Sequence, residues 1–203
     1  FVDLSMGSSG YLRTVGAGSI EAFDGHLLGA IEIMRNDGPW DRSGNVKKEN
    51  LLLKYSGRHG VYDTKLIASY YDNTWNSTDQ IPERLVLQGK IGRYGYVDPT
   101  LGGISKRATF ITGIESDHMS VGGFISDYNL NLFGNFTYTL EDRKNGDQHE
   151  QVDRRRIYGG HARRVLAFNS STELDLGLDF RIDDIGHADL HGTTSRIRHK
   201  TIR

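Results

Sequence analysis

The feature that most constrains this chain is a two-residue repeat of polarity. From Glu173 to Asp183, Leu174, Leu176, Leu178, Phe180 and Ile182 alternate with Glu173, Asp175, Gly177, Asp179, Arg181 and Asp183. Successive side chains of a strand point to opposite faces, so this segment reads as a strand with one apolar and one charged face. The pattern recurs. Leu51, Leu53 and Tyr55 oppose Leu52 and Lys54, and Leu66, Ala68 and Tyr70 oppose Lys65, Ile67, Ser69 and Tyr71. Helical periodicity is hard to find, and no apolar run approaches the roughly 18 residues that a membrane-spanning helix needs.

The connections carry a second pattern. Asp24-Gly25 is a hairpin-turn pair, and Gly57 to Tyr62, Ser116 to Asp117 and Phe168 to Thr172 are also short links. Long links lie between them, at Asn36 to Lys47, Trp75 to Lys106 and Phe133 to Asp153. Short turns alternating with long loops are expected of an outer-membrane barrel, whose strands need only about 9–11 residues each. Structureless loops of that length count against a compact soluble domain. The expected fold is all-β: an antiparallel up-and-down meander of about ten strands, part of a transmembrane β-barrel, filling residues 1–203 as one domain.

Composition narrows the functions. The 203 residues are 36% hydrophobic and 25% charged, which suits strands that are apolar on one face only. The net charge of −1 gives no basic field for nucleic acid, so no nucleic-acid partner is expected. With 0 cysteines, there is no disulfide framework, thiolate metal site or cysteine nucleophile. A Gly-x-Ser-x-Gly elbow, a Gly-x-x-x-x-Gly-Lys loop and a His-Glu-x-x-His pair are all missing. Asp183 and Asp184 are neighbours, so in a strand they point to opposite faces and form no acid/base pair. No catalytic activity, cofactor or metal is expected. The first residues carry no signal-peptide pattern, and Phe1-Val2-Asp3-Leu4 and Arg196 to Arg203 are already strand-like, so the chain is expected to be a piece of a longer protein.

Two loop segments resemble a known family. Trp75-Asn76-Ser77-Thr78-Asp79-Gln80-Ile81-Pro82-Glu83-Arg84, continuing to Gly92-Arg93-Tyr94-Gly95-Tyr96-Val97-Asp98-Pro99-Thr100-Leu101-Gly102-Gly103, is similar to an outer loop of TonB-dependent outer-membrane receptors. So is Tyr128-Asn129-Leu130-Asn131-Leu132-Phe133-Gly134-Asn135-Phe136-Thr137-Tyr138, with Asn145-Gly146-Asp147-Gln148 and Asp153-Arg154-Arg155. Val2-Asp3-Leu4-Ser5-Met6-Gly7-Ser8 resembles the first barrel strand after the plug, and Asp37-Gly38-Pro39-Trp40 fits as well. The resemblance covers nearly the whole chain. It implies the N-terminal part of a barrel of about 22 strands, of the plugged kind, in the bacterial outer membrane. The implied partners are outer-membrane lipid, a plug domain and TonB in an intact receptor, and a small-molecule or metal-chelate ligand such as an iron–siderophore. The chain itself contains no plug, no TonB-contacting segment and no terminal aromatic strand. A stand-alone β-barrel or curved-sheet module without transport activity is the second expectation. A barrel hydrolase, marked by a Ser–His pair near the outer end, is the third.

Several clusters have both a functional and a plain structural interpretation. His187-Ala188-Asp189-Leu190-His191 has metal-binding residue types but no closed ligand spacing, and is expected to be a polar loop between the last two strands. His149, between Asp147 and Glu150, is expected to be a solvated loop histidine. Arg154-Arg155-Arg156 and Arg163-Arg164 form a basic ladder, expected to pair with Asp175, Asp179 or similar on the next strand. Because of strand alternation, Arg154 and Arg156 share one face and Arg155 takes the other. Tyr94, Tyr96, Phe133, Phe136 and Tyr138 suit either stacking on a flat ligand or packing the loops together. Asn76, Asn135 and Asn169 begin glycosylation sequons of a kind that arise by chance.

Overall fold

The computed structural model describes residues 1–202. Ten strands follow one another: β1 Val2–Met6, β2 Leu12–Ala22, β3 Gly25–Asn36, β4 Val46–His59, β5 Tyr62–Asn76, β6 Gly102–Ser116, β7 Met119–Gly134, β8 His149–Asn169, β9 Thr172–Thr194 and β10 Ile197–Thr201. A single short helix, α1 Glu83–Leu87, lies between β5 and β6. The strands form one antiparallel sheet in sequence order, an up-and-down meander whose edge strands β1 and β10 are not paired with each other.

Short and long connections alternate as the sequence suggests, with shifted boundaries. At one end, two-residue turns join β2 to β3, β4 to β5, β6 to β7 and β8 to β9. The first of these is centred on Phe23 and Asp24, both with positive φ (54° and 56°), whereas Asp24-Gly25 was the expected turn. Gly25 opens β3 instead, where a side chain would collide with the Ser56 carbonyl on β4. The glycine is there for close approach of strands. At the opposite end lie the loops 37–45, 77–101 and 135–148. All three are shorter than expected, most of all the last two, because β5, β6, β7 and β8 continue through polar residues.

The expected loop at His187 to His191 is a correction. These residues lie inside β9, a 23-residue strand. The ladder shifts by one residue at Gly186, since Arg154 pairs with His187 while Arg155 pairs with Ile185. Such a bulge breaks the alternation that marks a strand in sequence.

The ladders assign every strand residue to a face. Directly opposed residues share a face, so Leu178 continues through Ala162, Val121, Ile114 and Thr64 across the sheet. That face carries Leu27, Ile31 and Ile33; Leu51, Leu53 and Tyr55; Leu66, Ala68 and Tyr70; Phe110 and Ile114; Val121 and Ile125; and Leu174 to Ile182 in alternation. The result is an apolar band, interrupted on β8 by Arg164, which stands between Leu176 of β9 and Met119 of β7. Toward the loop end, the first charged residue after the band is Arg35 on β3. It is Glu49, Asp72 and Lys106 on β4 to β6, one residue pair nearer the turns. It is Asp127, Arg156 and Asp184 on β7 to β9, a further pair nearer. The border thus slants by about 13 Å over about 29 Å of sheet width, roughly 25° to the ladders.

The other face is polar and ion-paired. Arg13 Nε donates to Glu32 at 2.6 Å, and Lys48 Nζ stands 3.1 Å from the same carboxylate. Asn50 also donates to it. Arg163 Nε and Nη2 both donate to Asp175, and Arg155 pairs with Asp153.

Almost nothing covers either face. Among the described residues, the buried apolar side chains are Leu101 (1% exposed) and Val152 (4%). The accessible surface is 13523 Å², against about 9,600 Å² for a compact monomer of this mass. A sheet gains stability by burying a face against another layer. This single layer has no such partner within the chain.

Candidate functional site at the long-loop end

The three long loops and the β9–β10 turn meet at one end of the sheet, where the only sizeable buried polar cluster among the described residues is found. Its centre is Asp98. Thr100 donates to Asp98 Oδ1 from its amide (2.8 Å) and its hydroxyl (2.6 Å), the local turn typical of an Asp two residues before its partner. Asn135 Nδ2 and Gln148 Nε2 donate to Oδ2 at 3.1 and 2.6 Å. Gln148 accepts in turn from the Thr193 hydroxyl at 2.8 Å and the Arg196 amide at 2.8 Å. One carboxylate therefore ties loop 77–101 to loop 135–148, and Gln148 extends the link to the last turn. Burial pushes Asp98 up, but the hydrogen bonds from Thr100, Asn135 and Gln148 outweigh it and hold the group below the usual aspartate range.

Arg42 brings in the third loop. Its Nη1 donates to the carbonyls of Ser77 (3.0 Å) and Leu101 (3.1 Å). Burial and the nearby Arg196 guanidinium lower its pKa. Asp79 accepts from the Asn135 amide at 2.6 Å. In loop 135–148, Asp147 accepts from the amides of Leu140, Glu141 and Asp142. Buried Leu101 sits beneath this layer. Gly102 then starts β6 with φ +137°, and a side chain there would strike the Trp75 carbonyl.

The predicted aromatic residues have partners here. Tyr138 donates its hydroxyl to Gln80 O at 2.6 Å. Tyr94 lies edge-on to Trp40 at 6.1 Å, Phe136 faces His149 at 5.6 Å, and Phe133 lies under the Arg196 guanidinium at 4.8 Å. Four of the five therefore have a side-chain or backbone partner at this end, although Tyr94 and Phe136, like Tyr96, remain exposed. Phe133 and His149 belong to strands, not loops.

The other predicted clusters are dispersed. Arg163 pairs with Asp175 as expected, whereas Arg156 pairs with Asp127 on β7 at 3.1 Å. Arg154 and Arg156 share the band face and Arg155 takes the polar face. His187 Nδ1 lies 2.9 Å from Asp189. The described residues contain no group of three or more His, Asp or Glu side chains set to hold a metal ion. A Ser–His contact does occur, Ser120 Oγ to His161 Nε2 at 3.0 Å. It lies on the polar face near the short turns, at the opposite end from the long loops.

Comparison with protein families, curated proteins and solved structures gave no match for this chain. The functional case rests on the geometry.

That geometry combines a hydrogen-bonded loop layer at one end with a sheet that is mainly apolar on one face and ion-paired on the other. The sequence motifs pointed to the loops but not to their core. Asp98, Asn135 and Gln148 stand inside the loop segments that carry the family resemblance, and the one local signal that could have marked any of them as structural is the turn sequence Asp98-Pro99-Thr100.

Proposed function

We propose that the chain is the N-terminal part of an outer-membrane barrel of the TonB-dependent receptor type, acting in energised uptake of a scarce ligand such as an iron–siderophore. The observation that carries this is the apolar band on one face, interrupted only at Arg164 among the described residues of its middle rows, opposite an ion-paired polar face. Barrel strands in a membrane alternate apolar-out and polar-in, and tilt by about 35–45°. A horizontal membrane border then crosses the ladders obliquely, in keeping with the slanting charged border. The uncovered surface and the turn-versus-loop asymmetry fit the same geometry. The loop layer closed by Asp98 would face the outside, and further strands and a plug would complete the receptor, because open edges are not tolerated in hydrocarbon.

The test is fractionation of the membranes of the organism that carries the chain, with peptide mapping of the Asp79 to Gly103 segment. The segment is expected in an outer-membrane band much larger than 22.8 kDa. Recovery in a soluble band of that mass would replace the receptor with a stand-alone β module.

A further inference from the structure

On the band face at the loop end, Lys106, Asn129 and Arg154 are direct neighbours in one row across β6, β7 and β8; the row adjoins the apolar residues on β6 and is separated from them on β7 and β8 by Asp127 and Arg156. They line a concavity of about 460 Å³ together with Asn131, Thr74 and, from above, Arg196. No carboxylate lines it. Lys106 is held at 2.7 Å by Asp72 from β5. Arg156, one row nearer the turns, neutralises Asp127. Among the described residues, Arg154 makes no hydrogen bond or ion pair, and Arg196 contacts only the Thr100 carbonyl and the Gln148 amide oxygen through its nitrogens and the Phe133 ring. The row thus presents two guanidinium groups without a carboxylate and an amide between two cations. Its spacing of about 4.8 Å per strand places Lys106 and Arg154 about 10 Å apart, a span one phosphate group fills.

We propose that the Lys106–Asn129–Arg154 row, with Arg196 above it, binds the phosphate group of an anionic membrane lipid. The proposal rests on the membrane orientation of the apolar band. Ala108 begins that band about 7 Å along β6 from the row, and Phe110 and Ile125 follow at about 13 Å. A phosphate held at the Lys106 end of the row therefore leaves an acyl chain to run along β6 over Ala108 and Phe110. Guanidinium groups suit phosphate because their donors match its oxygens in pairs. A free phosphate ion would use the same cations but none of the band.

The full chain in zwitterionic detergent micelles is titrated with short-chain phosphatidic acid and, separately, with inorganic phosphate, each followed by phosphorus NMR and calorimetry. Saturable binding of the lipid is expected, with inorganic phosphate much weaker. Arg154→Glu is expected to weaken lipid binding by about tenfold or more, and Arg154→Lys to retain most of it. The Arg154 side chain makes no hydrogen bond or ion pair among the described residues, so these variants are expected to leave the sheet intact. Equal lipid affinity in Arg154→Glu, no saturable binding by the native chain, or inorganic phosphate bound as tightly as the lipid would each overturn the proposal. The band itself is tested separately at Leu178, so the lipid site can fail while the membrane orientation stands.

Discussion

Leu178 gives the sharpest test of which face meets lipid. It is 68% exposed at the middle of the β9 apolar run. From Asp184, where the charged border crosses β9, Leu178 lies six residues toward the turns, about 20 Å along the strand. At a tilt of about 40°, that is about 15 Å of depth, near the middle of an apolar belt about 25 Å tall. Leu178→Arg should then cost about 2–4 kcal/mol of folding free energy in phospholipid vesicles, and Leu178→Asp somewhat less. The neighbouring position is the control. Gly177 lies on the polar face, a side chain added there meets nothing within 4 Å, and its ladder partner is Arg163. Gly177→Asp should change stability by no more than about 0.5 kcal/mol. Reversible guanidinium unfolding in vesicles, followed by Trp40 and Trp75 fluorescence, reads both. If the face were solvated, Leu178→Arg would be an ordinary surface change, also within about 0.5 kcal/mol. Equal, near-zero effects at 177 and 178 would refute the facing assignment.

Two more predictions concern the loop layer. Asp98→Ala leaves the buried donors of Asn135 and Gln148 without their acceptor, at about 1–3 kcal/mol each when unsatisfied, so limited proteolysis should nick loops 77–101 and 135–148 several times faster while the strands survive. Acid should act in the same direction: a carboxyl whose pKa is depressed in the folded state contributes stability above its unfolded value near 4, lost as the pH falls through the folded value, and protection against a protease active at low pH is expected to drop there in the native chain but not in Asp98→Asn. Gly102→Ala combines positive φ with a backbone collision at the Trp75 carbonyl and should destabilise the β5–β6 ladder by about 2 kcal/mol or more, seen as faster amide exchange at Trp75 to Ser77; unchanged exchange would show that the loop base tolerates a side chain.

Much of this fold is visible in the sequence because a one-layer sheet writes its burial pattern directly into alternate residues. Leu174 to Ile182 and Leu51 to Tyr55 show it where apolar and charged side chains contrast. The signal fails beyond the band. On β7 Asn129 and Asn131 take the band face and Leu130 and Leu132 the other, and on β8 Gln151 and Asp153 lie opposite those leucines, so the apolar phase reverses beyond the band and the strand ends are hard to separate from loop. It fails again at Gly186, where one bulged residue reverses the phase and makes His187 to His191 look like a turn. The loop core was the least visible part, because Asp98, Gln148 and Thr193 are brought together by hydrogen bonds between residues up to 50 apart, a relationship with no local period. Face assignment for Arg154 to Arg156 needed only alternation, but the partner of Arg156 depended on the register of β7, which the sequence does not display.

The polar face offers an independent check on the same division of solvents. Glu32 is surrounded by Arg13, Lys48 and Asn50, all on the face opposite the band. Glu32→Gln would leave Lys48 without a counter-charge and Arg13 with only Asp3, 3.7 Å away. For this half-shielded cluster, that is a loss of about 1–3 kcal/mol, the range of a charge-assisted bond. If the face lines a water-filled interior, ions reach the cluster, and at about 1 M salt the screening length falls to about 3 Å. The penalty of Glu32→Gln should then shrink markedly between low and high salt. The Leu178→Arg penalty comes from placing charge in hydrocarbon, where salt does not enter, and should stay constant. A salt-independent Glu32→Gln penalty beside a salt-dependent Leu178→Arg penalty would mean that the two faces have been assigned to the wrong solvents.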